Sequence, residues 1–186
     1  MVSSELNRRD FTRLTAAGVG TACLPKLALS LEPVIKRAIP KTGEILPIVG
    51  LGTWRAFDVS PDASAWILHR EMLRMMFEAG ANVVDASPMY GRVEGVMGEL
   101  LAETDTRNAT FLATKVWTEG KDRGIAQMEE SLRRFRTDRI DLMQIHNLVD
   151  WQTQLETLRL WKAIGTFRYN GITHYTSGAI NRLIEV

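Results

Sequence analysis

Asp85, Tyr90, Lys115 and His146 are the residues whose types and spacing point to chemistry. Lys115 follows Asp85 by 30 positions and His146 follows Lys115 by 31. Each of the three closes an apolar run: VVD at 83–85, FLATK at 111–115 and IDLMQIH at 140–146. A carboxylate, a phenol, an ammonium and an imidazole brought to one place suit reduction of a carbonyl group. As hydride reaches the carbon, negative charge grows on the oxygen, which must be protonated or stabilised. Tyr90 is the candidate acid. An unperturbed phenol has a pKa of about 10, and a neighbouring ammonium, Lys115, is expected to lower it by favouring phenolate. Asp85 is expected to hold Lys115 in place, and His146 to hydrogen-bond the carbonyl oxygen and orient it. Taken alone, an Asp and a Tyr five residues apart would be a structural acid and a packed ring; four such residues in one register carry more.

The elements that must position these residues follow from the same spacing. A repeat near 30 is the length of one strand-helix unit, and a parallel barrel puts its catalytic residues at the carboxyl ends of its strands. Two β-branched residues before Asp85 suit a strand buried on both faces, and Ser87-Pro88 turns the chain at its end. Val34–Ile39 and Ile45–Ile48 flank Lys41-Thr42-Gly43-Glu44 and read as a hairpin. IVGLGTW gives a first strand in which Gly50 and Gly52 permit close backbone approach. Ser60 caps a helix with Pro61 at its first position and Gly80 at its stop, and Ile67, Met72, Met75 and Met76 are expected to bury against the sheet. His69 in this helix reads as a surface or satisfied histidine, because no second His or Cys stands at metal-ligand spacing. Further helices are expected over Arg92–Glu103, Gly120–Arg136 and Trp151–Ile164, with one starting near Ser177. Between them lie strands at Thr110–Lys115, Ile140–His146 and Phe167–Thr173. In the third helix Ile125, Met128, Leu132 and Phe135 share one face, and the charges around them form a solvated face.

From Ile45 to its last residue the chain resembles the aldo-keto reductase family, whose barrel carries Asp, Tyr, Lys and His in this order. The resemblance implies an α/β fold, a (β/α)8 TIM barrel, incomplete here with about five βα units after the hairpin. It implies reduction of aldehydes or ketones to alcohols with NADPH and a small-molecule carbonyl substrate. It assigns Asp85, Tyr90, Lys115 and His146 to catalysis. Gly52, Thr53, Trp54 and Asp85 fall on the nicotinamide and substrate side, with simple packing the alternative for Trp54. Thr173 and His174 fall where the family contacts the cofactor carboxamide, often with Ser-Asn. Gly50-Leu51-Gly52 lacks the third glycine and the following helix start of the dinucleotide fingerprint. A typical TIM barrel takes about 250 residues. The family's phosphate-binding loops, after its seventh and eighth strands, have no counterpart, so the chain is expected to be truncated on its carboxyl-terminal side. Open sheet edges are then expected to favour self-association. A non-catalytic remnant or binding protein of the same fold is the alternative.

With 186 residues, 45% of them hydrophobic, the chain is long enough for one sizeable core. Its formal net charge of +1, without a basic run interleaved with aromatics, gives no reason to expect a nucleic-acid partner. One cysteine, Cys23, excludes an intramolecular disulfide framework. Residues 1–30 look like a twin-arginine export signal: Asn7-Arg8-Arg9-Asp10-Phe11, then the weakly apolar LTAAGVGTACL, then a small-residue site at Ala28 and Ser30. A frayed amphipathic arm is the alternative. That run is shorter and less apolar than the roughly 20 residues a membrane span needs. The expectation is therefore a periplasmic domain over 31–186 with no stable membrane span after signal cleavage, the alternative being cytoplasmic.

Overall fold

The computed structural model describes residues 34–61 and 64–184. The segment read as an export signal lies outside them, as does Cys23.

A short antiparallel hairpin comes first, β1 (Lys36–Ala38) with β2 (Ile45–Pro47), Ala38 standing opposite Ile45. Its turn closes on Gly43, whose φ of 76° is open to glycine, with the Gly43 N–H donating to the Ile39 carbonyl at 2.8 Å. Five parallel strands follow: β3 (Leu51–Gly52), β4 (Val83–Asp85), β5 (Phe111–Val116), β6 (Ile140–His146) and β7 (Phe167–Thr173). They lie side by side in chain order, with β3 and β7 at the two edges. The helices α1 (Ser64–Glu78), α2 (Val93–Glu103), α3 (Lys121–Arg134) and α4 (Trp151–Ala163) make the crossovers, and α5 (Ser177–Ile184) follows β7. The expected strands and helices are thus present, with ends shifted by at most a few residues, and the sheet is that of a partial barrel.

Register explains how distant residues meet. Gly52 pairs with Asp85, Asp85 with Ala113, Lys115 with Gln144, and His146 with Thr173. Side chains two apart on a strand share a face. Asp85, Lys115, His146 and Thr173 therefore share one face of the sheet: Lys115 stands two residues above the partner of Asp85, His146 two above the partner of Lys115, and Thr173 level with His146.

The opposite face packs on the helices. Val84, Leu112, Val116, Met143 and Ile145 meet Leu73 of α1, Val96, Met97, Leu100 and Leu101 of α2, Met128 and Phe135 at α3, and Leu158 of α4. Burying each such side chain contributes about 1.5–3 kcal/mol. In α3 three of the four expected residues form the inner face, with Met128 and Phe135 buried and Leu132 packed behind them, while Ile125 is half-buried outside the core cluster.

Helix α1 departs from expectation. Ile67, Met72 and Met75 are exposed, and only Met76 of the expected set packs against the core. Trp66 and Leu73 are buried instead. Apolar residues surround most of this helix, so its pattern did not select a face. Trp66 and Leu73, two turns apart, win the sheet side, and the Trp66 indole N–H finds Glu103 at 3.1 Å. The stop is as expected: Gly80 has φ 85° and donates to the Phe77 carbonyl at 2.9 Å.

Candidate active site

The strand ends form the site. β4 delivers Asp85, and the turn that follows is closed by the Tyr90 N–H donating to the Ser87 carbonyl at 3.1 Å, which returns Tyr90 over the sheet. β5 delivers Lys115 and β6 delivers His146, both buried. The Lys115 Nζ donates to Asp85 Oδ2 and to the Ala86 carbonyl, each at 2.7 Å. It also lies 5.3 Å from the centroid of the Tyr90 ring. The other Asp85 oxygen accepts from Gln144 Nε2 at 3.1 Å. Gln144 was missed in the sequence, though its place two residues before His146 puts it on the same face. Thr53 sits beneath, its hydroxyl donating to the Asp85 carbonyl at 2.8 Å.

Trp54, Met89, Tyr90, His146 and Tyr175 line a cavity of about 300 Å³ at this end of the sheet. Met89 and Tyr175 also escaped the sequence, where nothing in their spacing marks them. Trp54 is 63% exposed and tilted against Tyr90, with ring centroids 6.4 Å apart, so it is a wall of the cavity and not core packing. Arg55 stacks on it at 5.0 Å.

Electrostatics here differ from expectation in one respect. Burial, with the negative charge of Asp85 second, holds the Tyr90 phenol above its ordinary range. The expected lowering by Lys115 does not appear, because that ammonium is engaged by Asp85 and the Ala86 carbonyl and lies at the ring face. A phenol held this way keeps its proton at neutral pH and is a donor. Burial, aided by the Lys115 charge, pushes the His146 imidazole below its usual range, so it is neutral there.

The residues assigned to the cofactor are placed unevenly. A side chain at Gly52 would meet nothing within 4 Å, leaving open backbone beside Asp85, whereas one at Gly50 would meet Val83 Cγ1 at 2.9 Å. The Thr173 hydroxyl lies 2.6 Å from His146 Nδ1. His174 turns aside, its Nδ1 accepting from the Thr176 N–H at 3.0 Å. Arg55, Asn147, Leu148 and Asp150 around these strand ends all have positive φ, the kind of backbone strain that gathers at functional sites. His69 is not among the residues that line the cavity; it stacks on Phe57 at 4.2 Å with its Nδ1 buried and without a hydrogen-bond partner among the described residues, so it is a packed histidine and neither a surface nor a satisfied one. Among the described residues no cluster of three or more His, Cys, Asp or Glu is placed to hold a metal ion. Nor, among them, is any helix long and apolar enough to cross a membrane.

Comparison with known proteins gives the family and the fold. The family model described as Aldo/keto reductase family matches residues 48–184. Methylglyoxal reductase DkgB of Salmonella typhi is 31% identical over 147 residues, 75% of this chain and 52% of that protein. Methylglyoxal reductase YeaE of Escherichia coli is 38% identical over 116 residues, 60% of this chain and 39% of that protein. The chain spans about half the length of the curated relatives it matches. An aldo/keto reductase from Klebsiella pneumoniae, solved in complex with NADP and acetate, superposes with a TM-score of 0.65 at 26% identity, covering 77% of this chain and 51% of that one.

Proposed function

The chain belongs to the aldo/keto reductase family, and on that premise we propose that its site reduces small aldehydes or ketones to alcohols with NADPH, Tyr90 serving as general acid. One observation carries the reading: Tyr90 and His146 line a single cavity while the Lys115 and Asp85 pair is held behind them. Relatives that are methylglyoxal reductases, and a neighbour solved with NADP, support the substrate class and the cofactor.

Bound NADPH supplies hydride to the carbonyl carbon. The open backbone at Gly52, with Thr53 and Trp54 beside it, fits the approach of a flat ring, so these residues and Asp85 would hold the nicotinamide end. Thr173 and His174 would lie beside them, although the Thr173 hydroxyl and the His174 Nδ1 already have protein partners. His146, neutral by burial, donates a hydrogen bond to the carbonyl oxygen and orients it. Tyr90, which burial keeps protonated, gives that oxygen its proton, and Lys115, held by Asp85 and the Ala86 carbonyl, lies at its ring face. Asp85 and the Ala86 carbonyl hold Lys115, and Gln144 holds Asp85. Consumption of NADPH with methylglyoxal by the 186-residue chain tests this. No consumption at millimolar aldehyde, by a chain shown to be folded, would overturn it.

Residues 1–30 serve, in this reading, as a twin-arginine leader that delivers the folded protein to the periplasm. The Asn7-Arg8-Arg9-Asp10-Phe11 stretch supports it. Replacing Arg8 and Arg9 together by Lys should hold the protein in the cytoplasm, and periplasmic accumulation of that variant would exclude the route. The two sheet edges, β3 and β7, favour a second reading, in which the chain binds nucleotide weakly and pairs with a second copy. Tight NADPH binding by a monomer in size-exclusion chromatography would exclude that one.

A further inference from the structure

The hydroxyl of Thr173 lies 2.6 Å from His146 Nδ1, and two arrangements of protons satisfy that contact. Either the hydroxyl donates and Nδ1 is bare, or Nδ1 carries the proton and the hydroxyl accepts. A third group decides between them. The backbone N–H of Asn147, which has no role but donor, points at the same Thr173 oxygen at 3.4 Å. Asn147 adopts φ 52°, a left-handed conformation that asparagine tolerates, and that bend brings its N–H to the threonine. With the Asn147 N–H supplying its oxygen, the hydroxyl still has one proton to place, and His146 Nδ1 is the acceptor it reaches among the described residues.

We propose that Thr173 is a positioning residue that sets the tautomer of His146, keeping Nδ1 bare and the proton on Nε2, where it faces the substrate. This rests on the reading of His146 as the group that meets the carbonyl oxygen. It gives Thr173 a function directed at the histidine and distinct from any contact with the cofactor. A neutral imidazole with the opposite tautomer would present a lone pair to the carbonyl oxygen, and the two would repel. Protonating Nδ1 would take away the acceptor of the hydroxyl proton, so the contact favours the neutral imidazole over the imidazolium. The charged and titratable groups around His146 are Lys115, Asp85, Tyr90 and Tyr175. His174, next in the chain, is turned to Thr176.

The test uses the full chain labelled with 15N-histidine, with His146→Gln assigning the His146 signals among those of three histidines. At neutral pH, long-range proton-nitrogen correlations should show His146 with Nδ1 unprotonated and hydrogen-bonded, and Nε2 protonated. Thr173→Val, which keeps the shape and removes the hydroxyl, should shift the Nδ1 signal, admit the Nδ1-protonated form and move the His146 titration midpoint upward. Thr173→Ser should restore all three. A wild-type His146 protonated on Nδ1 would overturn the proposal, even if Thr173→Val failed to fold. So would a Val variant with unchanged nitrogen signals. If the enzyme turns over, Thr173→Val should lower kcat more than it raises KM, and a change in KM alone would point to a cofactor contact instead. The tautomer is read without turnover, so an inactive chain would defeat the proposed reaction and leave this measurement standing.

Discussion

The two ends of the sheet use the same materials to opposite effect. At the amino end Arg168 bridges Glu44 of the hairpin side at 2.6 Å and Asp141 of β6 at 2.7 Å. The Tyr169 hydroxyl donates to the same Glu44, and the Leu112 N–H donates to the other Asp141 oxygen at 2.8 Å. Each group is consumed by another, and the outcome is a seam joining hairpin, β5, β6 and β7. At the carboxyl end Lys115 and Asp85 likewise satisfy one another. Beside them, however, the Tyr90 hydroxyl makes no hydrogen bond to the described residues, and it faces a cavity together with His146. A basic residue and a carboxylate at a strand end are therefore not in themselves a mark of catalysis. What marks the carboxyl end is the pair of hydrogen-bonding groups left over once the charges are matched.

Breaking the carboxyl end should have the largest effect. Tyr90→Phe removes a proton donor and no packing, so reduction should fall about 100-fold or more, the scale of a positioned acid, with thermal stability unchanged. Steady-state rates with NADPH and methylglyoxal, beside a melting curve, read both. A variant keeping more than about a tenth of the rate would remove Tyr90 from the role of acid.

Breaking the amino end should change stability and leave chemistry alone. Arg168→Met strands the buried Asp141 carboxylate. Loss of one partner from a buried pair costs about 3–5 kcal/mol, and because Arg168 is one third exposed a smaller loss, about 2 kcal/mol, is expected. Urea unfolding measures it. The rate per folded molecule should not move, and a fall comparable to that of Tyr90→Phe would erase the distinction between the two ends.

Acid should separate the ends more gently. Burial holds His146, and likewise His69, below the ordinary value of 6.5 in the folded chain. The unfolded chain then binds more protons, so this contribution is full above pH 6.5 and is lost as pH falls below it. The Arg168 hydrogen bond, with Tyr169 assisting, lowers Glu44 from 4.5. Its contribution is full above 4.5 and is lost as pH falls towards the folded value. Stability against pH should decline in two stages. His146→Gln and His69→Gln should flatten the upper stage, and Arg168→Met should flatten the lower. A single stage that none of these variants alters would show that the two ends do not titrate separately.

Much of this was legible in the chain itself, because the signals are local. An apolar run ending in Asp85, Lys115 or His146 fixes both a buried strand and the end at which its polar residue stands, and a repeat near 30 residues leaves room for one crossover helix each time. Gly80 stops α1 wherever that helix docks, since a positive φ is a property of the residue. The succession of strands and helices along the chain, and the strand ends at which Asp85, Lys115 and His146 stand, follow from such local rules. Which side of α1 faces the sheet did not. Its apolar residues circle the helix, and only contact with Glu103 and the core selected Trp66 and Leu73 over Met72 and Met75. The sign of the Tyr90 shift also belonged to the tertiary structure, because it depends on whether Asp85 has already claimed the ammonium. The same is true of the contact between Thr173 and His146, which the pairing of β6 with β7 supplies. Periodicity tells a side chain which face it is on; only the stagger between strands and the turns of the loops decide which neighbour it meets there.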